Sequence, residues 1–167
     1  PEAAMPLRQA LVNLQIGSDT ELKANVAWSD DAGLDRLQGT VHSKNLDVAA
    51  LLDDASLPAL LSLDADYDVR LKPEMALENA KLNLALHDGS RWNAQALSGK
   101  VALEAQAGPA PTGMPDWAGY QLLNSDIQLK LGRNSVVLAG GFGKASDVLT
   151  LDVALPAAEQ ILSSLSS

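Results

Sequence analysis

From Leu122 to Leu155 the chain reads LLNSDIQLKLGRNSVVLAGGFGKASDVLTLDVAL, and apolar and polar residues alternate through most of it. Leu123, Ser125, Ile127, Leu129 and Leu131 share one parity, and Asn124, Asp126, Gln128 and Lys130 share the other. Gly132-Arg133-Asn134 interrupts the alternation. A second run spans Val136 to Phe142, and Gly143 to Asp147 interrupts again. A third run, Val148 to Leu155, sets Leu149, Leu151, Val153 and Leu155 on one parity. Successive side chains of a strand point to opposite faces, so the stretch predicts an antiparallel meander with one apolar and one polar face.

The same period recurs upstream. Arg8 to Ile16 alternates around Ala10, Val12, Leu14 and Ile16; Glu21 to Trp28 follows with Leu22, Ala24, Val26 and Trp28; Asp35 to Ser43 carries Leu37 and Val41. Gly17 to Thr20 and Asp30 to Gly33 supply the turns. The period then changes, because Val48, Leu51 and Leu52 stand at helical spacing behind Asn45 or Asp47 as a cap. A short helix is expected near 48–53, with helical character reaching toward Leu60. Leu61 to Lys72 alternates most cleanly, Leu63, Ala65, Tyr67, Val69 and Leu71 opposing Asp64, Asp66, Asp68, Arg70 and Lys72. Leu77 to His87 returns with Leu82, Leu84 and Leu86, and Asp88-Gly89 predicts a hairpin reversal. Arg91 to Ala96 sets Trp92, Ala94 and Ala96 on one face, and a bend at Ser98-Gly99 separates this run from Val101, Leu103 and Ala105. Residues 108–119, GPAPTGMPDWAG, form a long loop too rich in Pro and Gly for a central strand. Ile161, Leu162 and Leu165 predict a second short helix over 157–165. A weak repeat runs through the chain: LNLALHDGSRWNAQ parallels IQLKLGRNSVVLAG and, more loosely, LVNLQIGSDTELKANV.

Composition narrows the function. The 167 residues form one domain, residues 1–167, with a net charge of −9. That balance argues against nucleic acid, which demands a cationic footprint, and against anionic membrane surfaces. The absence of cysteine excludes disulfides and thiolate metal sites. No apolar run approaches the roughly 20 residues of a membrane-spanning helix. Pro1 follows no signal peptide or initiator Met, so the chain reads as a processed protein or an excised piece.

Candidate chemistry is sparse. His42 and His87 fall at polar parity outside any metal-ligating spacing, and read as incidental surface histidines. Asp64, Asp66 and Asp68 line one strand face but lack the turning glycine and oxygen cage of a calcium loop, so a solvated face is expected. No serine sits in a nucleophile elbow, and Gly140-Gly141-Phe142-Gly143 lacks the lysine and the following helix of a phosphate loop. The chain reads as non-enzymatic, with no cofactor and no metal. Trp28 and Trp92 share apolar parity; Trp117 lies in the long loop.

The apolar face requires a cover. About ten strands at ~4.8 Å spacing make a sheet on the order of 48 Å wide. Closure into a barrel, folding into a sandwich, or curling into a trough around something apolar would each hide it. A lipid-facing barrel is disfavoured, because three Trp, two Tyr and one Phe cannot build two aromatic girdles. A face of Leu, Val and Ala suits acyl chains, which ask for area rather than directed partners.

The stretch IQLKLGRNSVVLAGGFGKASDVLTLDVALPAAEQI resembles the repeats of the TamB and wider AsmA-like envelope proteins, and SRWNAQALSGKVALEA and LDVAALLDDASLPALLSLDADYDV are similar in style. The likeness covers the chain from about Leu46 onward. It implies an all-β antiparallel β-taco with a hydrophobic groove, built from about ten strands plus one or two short helices. It further implies a segment of a longer periplasmic protein anchored in the inner membrane, along which phospholipid moves toward the outer membrane. An Omp85-type outer-membrane partner, TamA-like, is implied for the full-length protein, together with a role in outer-membrane protein assembly. The expected lipid-groove residues are Leu63, Ala65, Tyr67, Val69, Leu82, Leu84, Leu86, Trp92, Leu103, Ile127, Leu129, Leu131, Val136, Leu138, Leu149, Leu151 and Val153. Two alternatives stay open: a closed barrel or sandwich that binds a discrete ligand or protein, and a chaperone-like groove for unfolded outer-membrane strands. End-to-end strand pairing is a further expectation, since an array segment leaves strand edges at its ends.

Overall fold

A computed structural model describes residues 8–16, 19–31, 33–54, 56, 58–110, 112–113 and 116–158. Over the described residues the chain is all-β, with ten antiparallel strands and one short helix. The strands are β1 (Arg8–Ile16), β2 (Thr20–Asp31), β3 (Leu34–Asp47), β4 (Ala59–Leu71), β5 (Leu77–Leu86), β6 (Arg91–Trp92), β7 (Gln95–Ala107), β8 (Tyr120–Leu131), β9 (Asn134–Phe142) and β10 (Leu149–Ala154). They pair in sequence order, β1-β2-β3-β4-β5-β7-β8-β9-β10, while β6 bonds both β4 and β7. That double bond closes β4, β5, β7 and β6 into a small four-stranded barrel core, with the other strands bonded outside it.

The route of closure corrects the expected hairpin at Asp88-Gly89. Along β4, Leu63 faces Leu86 of β5, while Leu60 faces Arg91 and Ala59 faces Trp92 of β6. β6 therefore runs in the same direction as β5 and prolongs its row after an excursion through residues 87–90. The reversal comes at Asn93-Ala94, where both residues take positive φ, 46° and 63°, the signature of a tight two-residue turn matched to strand twist. Trp92 thus faces Gln95 rather than sharing a strand with Ala94 and Ala96. No bend separates the next run, since β7 is continuous through Gly99. There φ is 136°, and an added Cβ would meet the carbonyl of Gln128 on β8.

Buried serines replace ladder bonds around the excursion. Ser62 N–H donates to Ser90 Oγ at 3.0 Å, and Ser90 Oγ–H donates to Ser62 O at 2.9 Å. Asn45, at a one-residue bulge with φ 49°, donates its N–H to Ser62 Oγ at 2.9 Å, and Ser43 Oγ–H donates to Leu61 O. The bonds to Ser62 N–H and Asn45 N–H give main-chain donors a partner where the register breaks, while Ser62 O also accepts from His87 N–H at 2.8 Å.

The helix α1 (Val48–Leu52) is capped by Asp47, whose carboxylate accepts from Ala50 N–H at 3.0 Å, and Asp53 ends it in the left-handed region. Helical character does not reach Leu60, because β4 has begun at Ala59. Residues 159–165 of the second expected helix lie outside the described residues. A bulge between Leu122 and Ser125 corrects another expectation: Leu122, opposite Ala105 and Phe142, takes the apolar position, and Leu123 borders a polar depression with Asp68, Lys81 and Glu104.

Asn134 is the first residue of β9 rather than part of the turn. Its amide donates to Ala157 O and accepts from Ala157 N–H, both at 3.1 Å, which draws the chain after β10 back toward the β8–β9 turn. Among the described residues the buried hydrophobics are Ala27, Leu46, Ala59 and Ala157. α1 leaves Leu51 and Leu52 exposed, and no described helix is long and apolar enough to cross a membrane.

Candidate functional site

Cross-strand partners in an antiparallel pair lie on the same side of the sheet, so the register assigns every side chain to a face. Val12, Ala24, Val41, Ala65, Leu84, Val101, Ile127, Leu138 and Leu151 form one row across nine strands. Every member is aliphatic. Eight inter-strand steps of ~4.8 Å make this an apolar lane roughly 38 Å long, perpendicular to the strands. The flanking rows are interrupted. One runs Leu22, Ser43, Leu63, Leu86, Gly99, Leu129, Val136 and Val153; the other runs Ala10, Val26, Gly39, Tyr67, Leu82, Leu103, Ser125, Gly140 and Leu149. Tyr67 leans across Gly39, where a Cβ would come within 2.7 Å of the Tyr67 hydroxyl.

All the residues expected to form a groove fall on this face. Ala65, Leu84, Ile127, Leu138 and Leu151 belong to the lane; Leu63, Leu86, Leu129, Val136 and Val153 lie on one side of it; Tyr67, Leu82, Leu103 and Leu149 lie on the other. Val69 sits one row further, opposite Leu37 and Ala80. Trp92, opposite Ala59, and Leu131, opposite Leu97, close the end near the excursion. None is fully buried: most are half-buried among their neighbours, and Leu149, Leu151 and Val153 on β10 are exposed. Leu129, Leu131 and Val136 also meet Leu97 and Leu155 around an apolar hollow of about 220 Å³. Leu97, Leu155, Val12, Val41 and Val101 extend the expected set. Strand parity points to Val12, Val41 and Val101. Leu155 enters because Asn134 turns the chain inward just beyond it.

The opposite face holds most of the titratable groups of the central strands. Asp64 is bridged by both histidines of the chain, His42 Nδ1 at 2.5 Å from Oδ1 and His87 Nε2 at 2.7 Å from Oδ2. These two hydrogen bonds hold the Asp64 carboxyl below the usual carboxylate range. The histidines are therefore not incidental, though both remain about half exposed. His42 stands directly opposite Asp64 in the register, and His87, whose N–H continues the β5 ladder to Ser62 O, reaches it diagonally from the same face. Arg36 donates through Nε and Nη2 to the two oxygens of Asp68, at 3.0 and 2.5 Å, and lowers its carboxyl in the same way. Lys100 pairs with Asp126 at 2.5 Å, and Asn83 donates to Asp66 at 2.7 Å.

A depression of about 510 Å³ opens on this polar side over Ala85 and Ala102, rimmed by His42, Asp64, Asp66, Asn83 and Lys100. His42 bonds Asp64, Asn83 bonds Asp66, and Lys100 pairs with Asp126 beside it, so the rim presents a largely self-satisfied surface. The apolar lane is where unmet interaction energy remains, since hydrocarbon half-covered by its neighbours still gains by leaving water. No protein-family model, curated protein or solved structure matches this chain.

Proposed function

We propose that the chain is a lipid-carrying segment whose apolar face curls into a β-taco groove that holds phospholipid acyl chains. The observation that carries this reading is the row from Val12 to Leu151, aliphatic at every one of nine strands and without a covering layer among the described residues. A lane that crosses strands offers hydrocarbon the same surface at each step, so a chain slides without meeting a desolvation barrier. Each buried methylene contributes about 0.8 kcal/mol, so an acyl tail needs no directed contact for retention. By the resemblance of its repeats to TamB and AsmA-like proteins, the segment would work in the periplasm, within a longer protein anchored in the inner membrane. Phospholipid is the cargo, and an Omp85-type partner belongs to the full-length assembly. Neither catalysis nor a cofactor enters this reading.

A charge in the lane tests it. Leu84→Glu and Ile127→Asp should each remove phospholipid that co-purifies with the chain and stop lipid transport by the full-length protein, because an unpaired carboxylate on an apolar path is costly to desolvate. Lys130→Glu, on the other face, should leave both unchanged. Equal lipid content and transport in all three variants would refute the groove.

A further inference from the structure

We propose that the outer edge of β10 receives β10 of a second copy of this chain, antiparallel, about a two-fold axis normal to the sheet. β10 bonds β9 on one side, and its other side carries no strand among the described residues. All six of its residues are exposed, including Leu149, Leu151 and Val153. The usual guards of a free edge are missing: the strand holds no lysine, no proline and no bulge, and its single charge is Asp152. Nor does the described chain fold over the edge, because Asn134 pulls Ala157 the other way, toward the β8–β9 turn.

The sequence of β10 is complementary to itself in one register. With Leu151 opposite Leu151 of the second copy, Leu149 meets Val153 and Val153 meets Leu149, all on the apolar face. On the polar face Thr150 meets Asp152, so like charges never oppose each other. A shift of one residue would set the apolar set against the polar set. The axis normal to the sheet reverses strand direction and preserves the faces, so the apolar lane of one copy runs on into that of the other. β1 offers no such match: centred on Val12, it would set Asn13 against Leu11 and leave Arg8 opposite a hydrophobic residue. A six-residue strand buries less than the roughly 1,000 Å² of a stable interface, so the pairing is weak and reversible. Each copy carries a net charge of −9, and added salt should strengthen it.

The chain contains no cysteine, so single substitutions report the register cleanly. Under mild oxidation Leu151→Cys should yield a disulfide-linked dimer, at roughly tenfold the level of Thr150→Cys or Leu11→Cys, because only directly opposed positions bring Cβ atoms within bonding reach. Leu149→Cys and Val153→Cys should each fail alone and cross-link when mixed. Both results should persist in delipidated protein, which separates this pairing from the acyl reading. Cross-linking at Leu11 as strong as at Leu151, no cross-link at Leu151, or no gain on mixing would overturn the proposal.

Discussion

On one face Ile127, Val101, Leu84 and Ala65 lie side by side across four strands with only hydrocarbon to touch; one residue along, on the other face, Asp126 meets Lys100, and Asp64 meets two histidines. The same backbone carries both patterns. The polar face satisfies itself pairwise and remains in water, where such pairs are worth little. The apolar face is only partly covered, since its side chains meet mostly their row neighbours and, near the β8–β9 turn, Leu97 and Leu155. Function in this molecule is therefore expected where the sheet is left incomplete, not where its titratable groups cluster.

Substitutions should separate the two faces, most sharply where a charge enters the lane. Leu84→Asp should weaken binding of a fluorescent fatty acid by more than roughly tenfold, while Asp66→Leu, on the other face of the neighbouring strand, should change it little. Equal losses in a fluorescence titration would erase the distinction. Second in size is Asn134→Ala, which breaks a buried pair of hydrogen bonds to Ala157 and should cost about 1–3 kcal/mol in denaturant melts. Leu84→Ala comes next. A partly buried leucine should lose about 1 kcal/mol, below the 2–5 kcal/mol of a fully packed one, and a larger loss would mean that something already covers the lane.

Acid offers a smaller, face-specific effect. The Asp64 and Asp68 carboxyls are lowered in the folded chain, so their contribution is complete above the ordinary carboxylate value of about 3.9 and is lost as pH falls through the depressed folded values. Asp64→Asn should therefore flatten the acid limb of a pH–stability curve below about pH 4. Smallest of all is Lys100→Ala. Its exposed pair with Asp126 should leave the thermal midpoint almost unmoved, and high salt should erase any difference.

Alternation alone made the faces legible, because a period of two leaves no freedom about which side chains share a side. It could not show where a strand stops. HDGS after Leu86 and GRN after Leu131 look alike as polar turns, yet the first is an excursion within one row and the second a reversal. The difference lies in distant partners: Ser62, far away in sequence, bonds Ser90 at the end of the excursion and is itself bonded by Asn45, and Asn93-Ala94, the true turn, requires positive φ from an alanine. The clamp on Asp64 becomes visible only with the strand order, since His42 and His87 reach it from the two sides of β4. The bulge that exchanges Leu122 for Leu123 likewise follows from pairing to β7 and β9, not from local pattern.

Ile127 and Gln128 are neighbours in β8 that point to opposite faces, and this adjacency allows the most direct test of the acyl lane. A photocrosslinking side chain placed at each position in turn, with labelled phospholipid present, should give a lipid adduct at 127 and none at 128. Equal adducts at the two positions, or an adduct at 128 alone, would contradict the account.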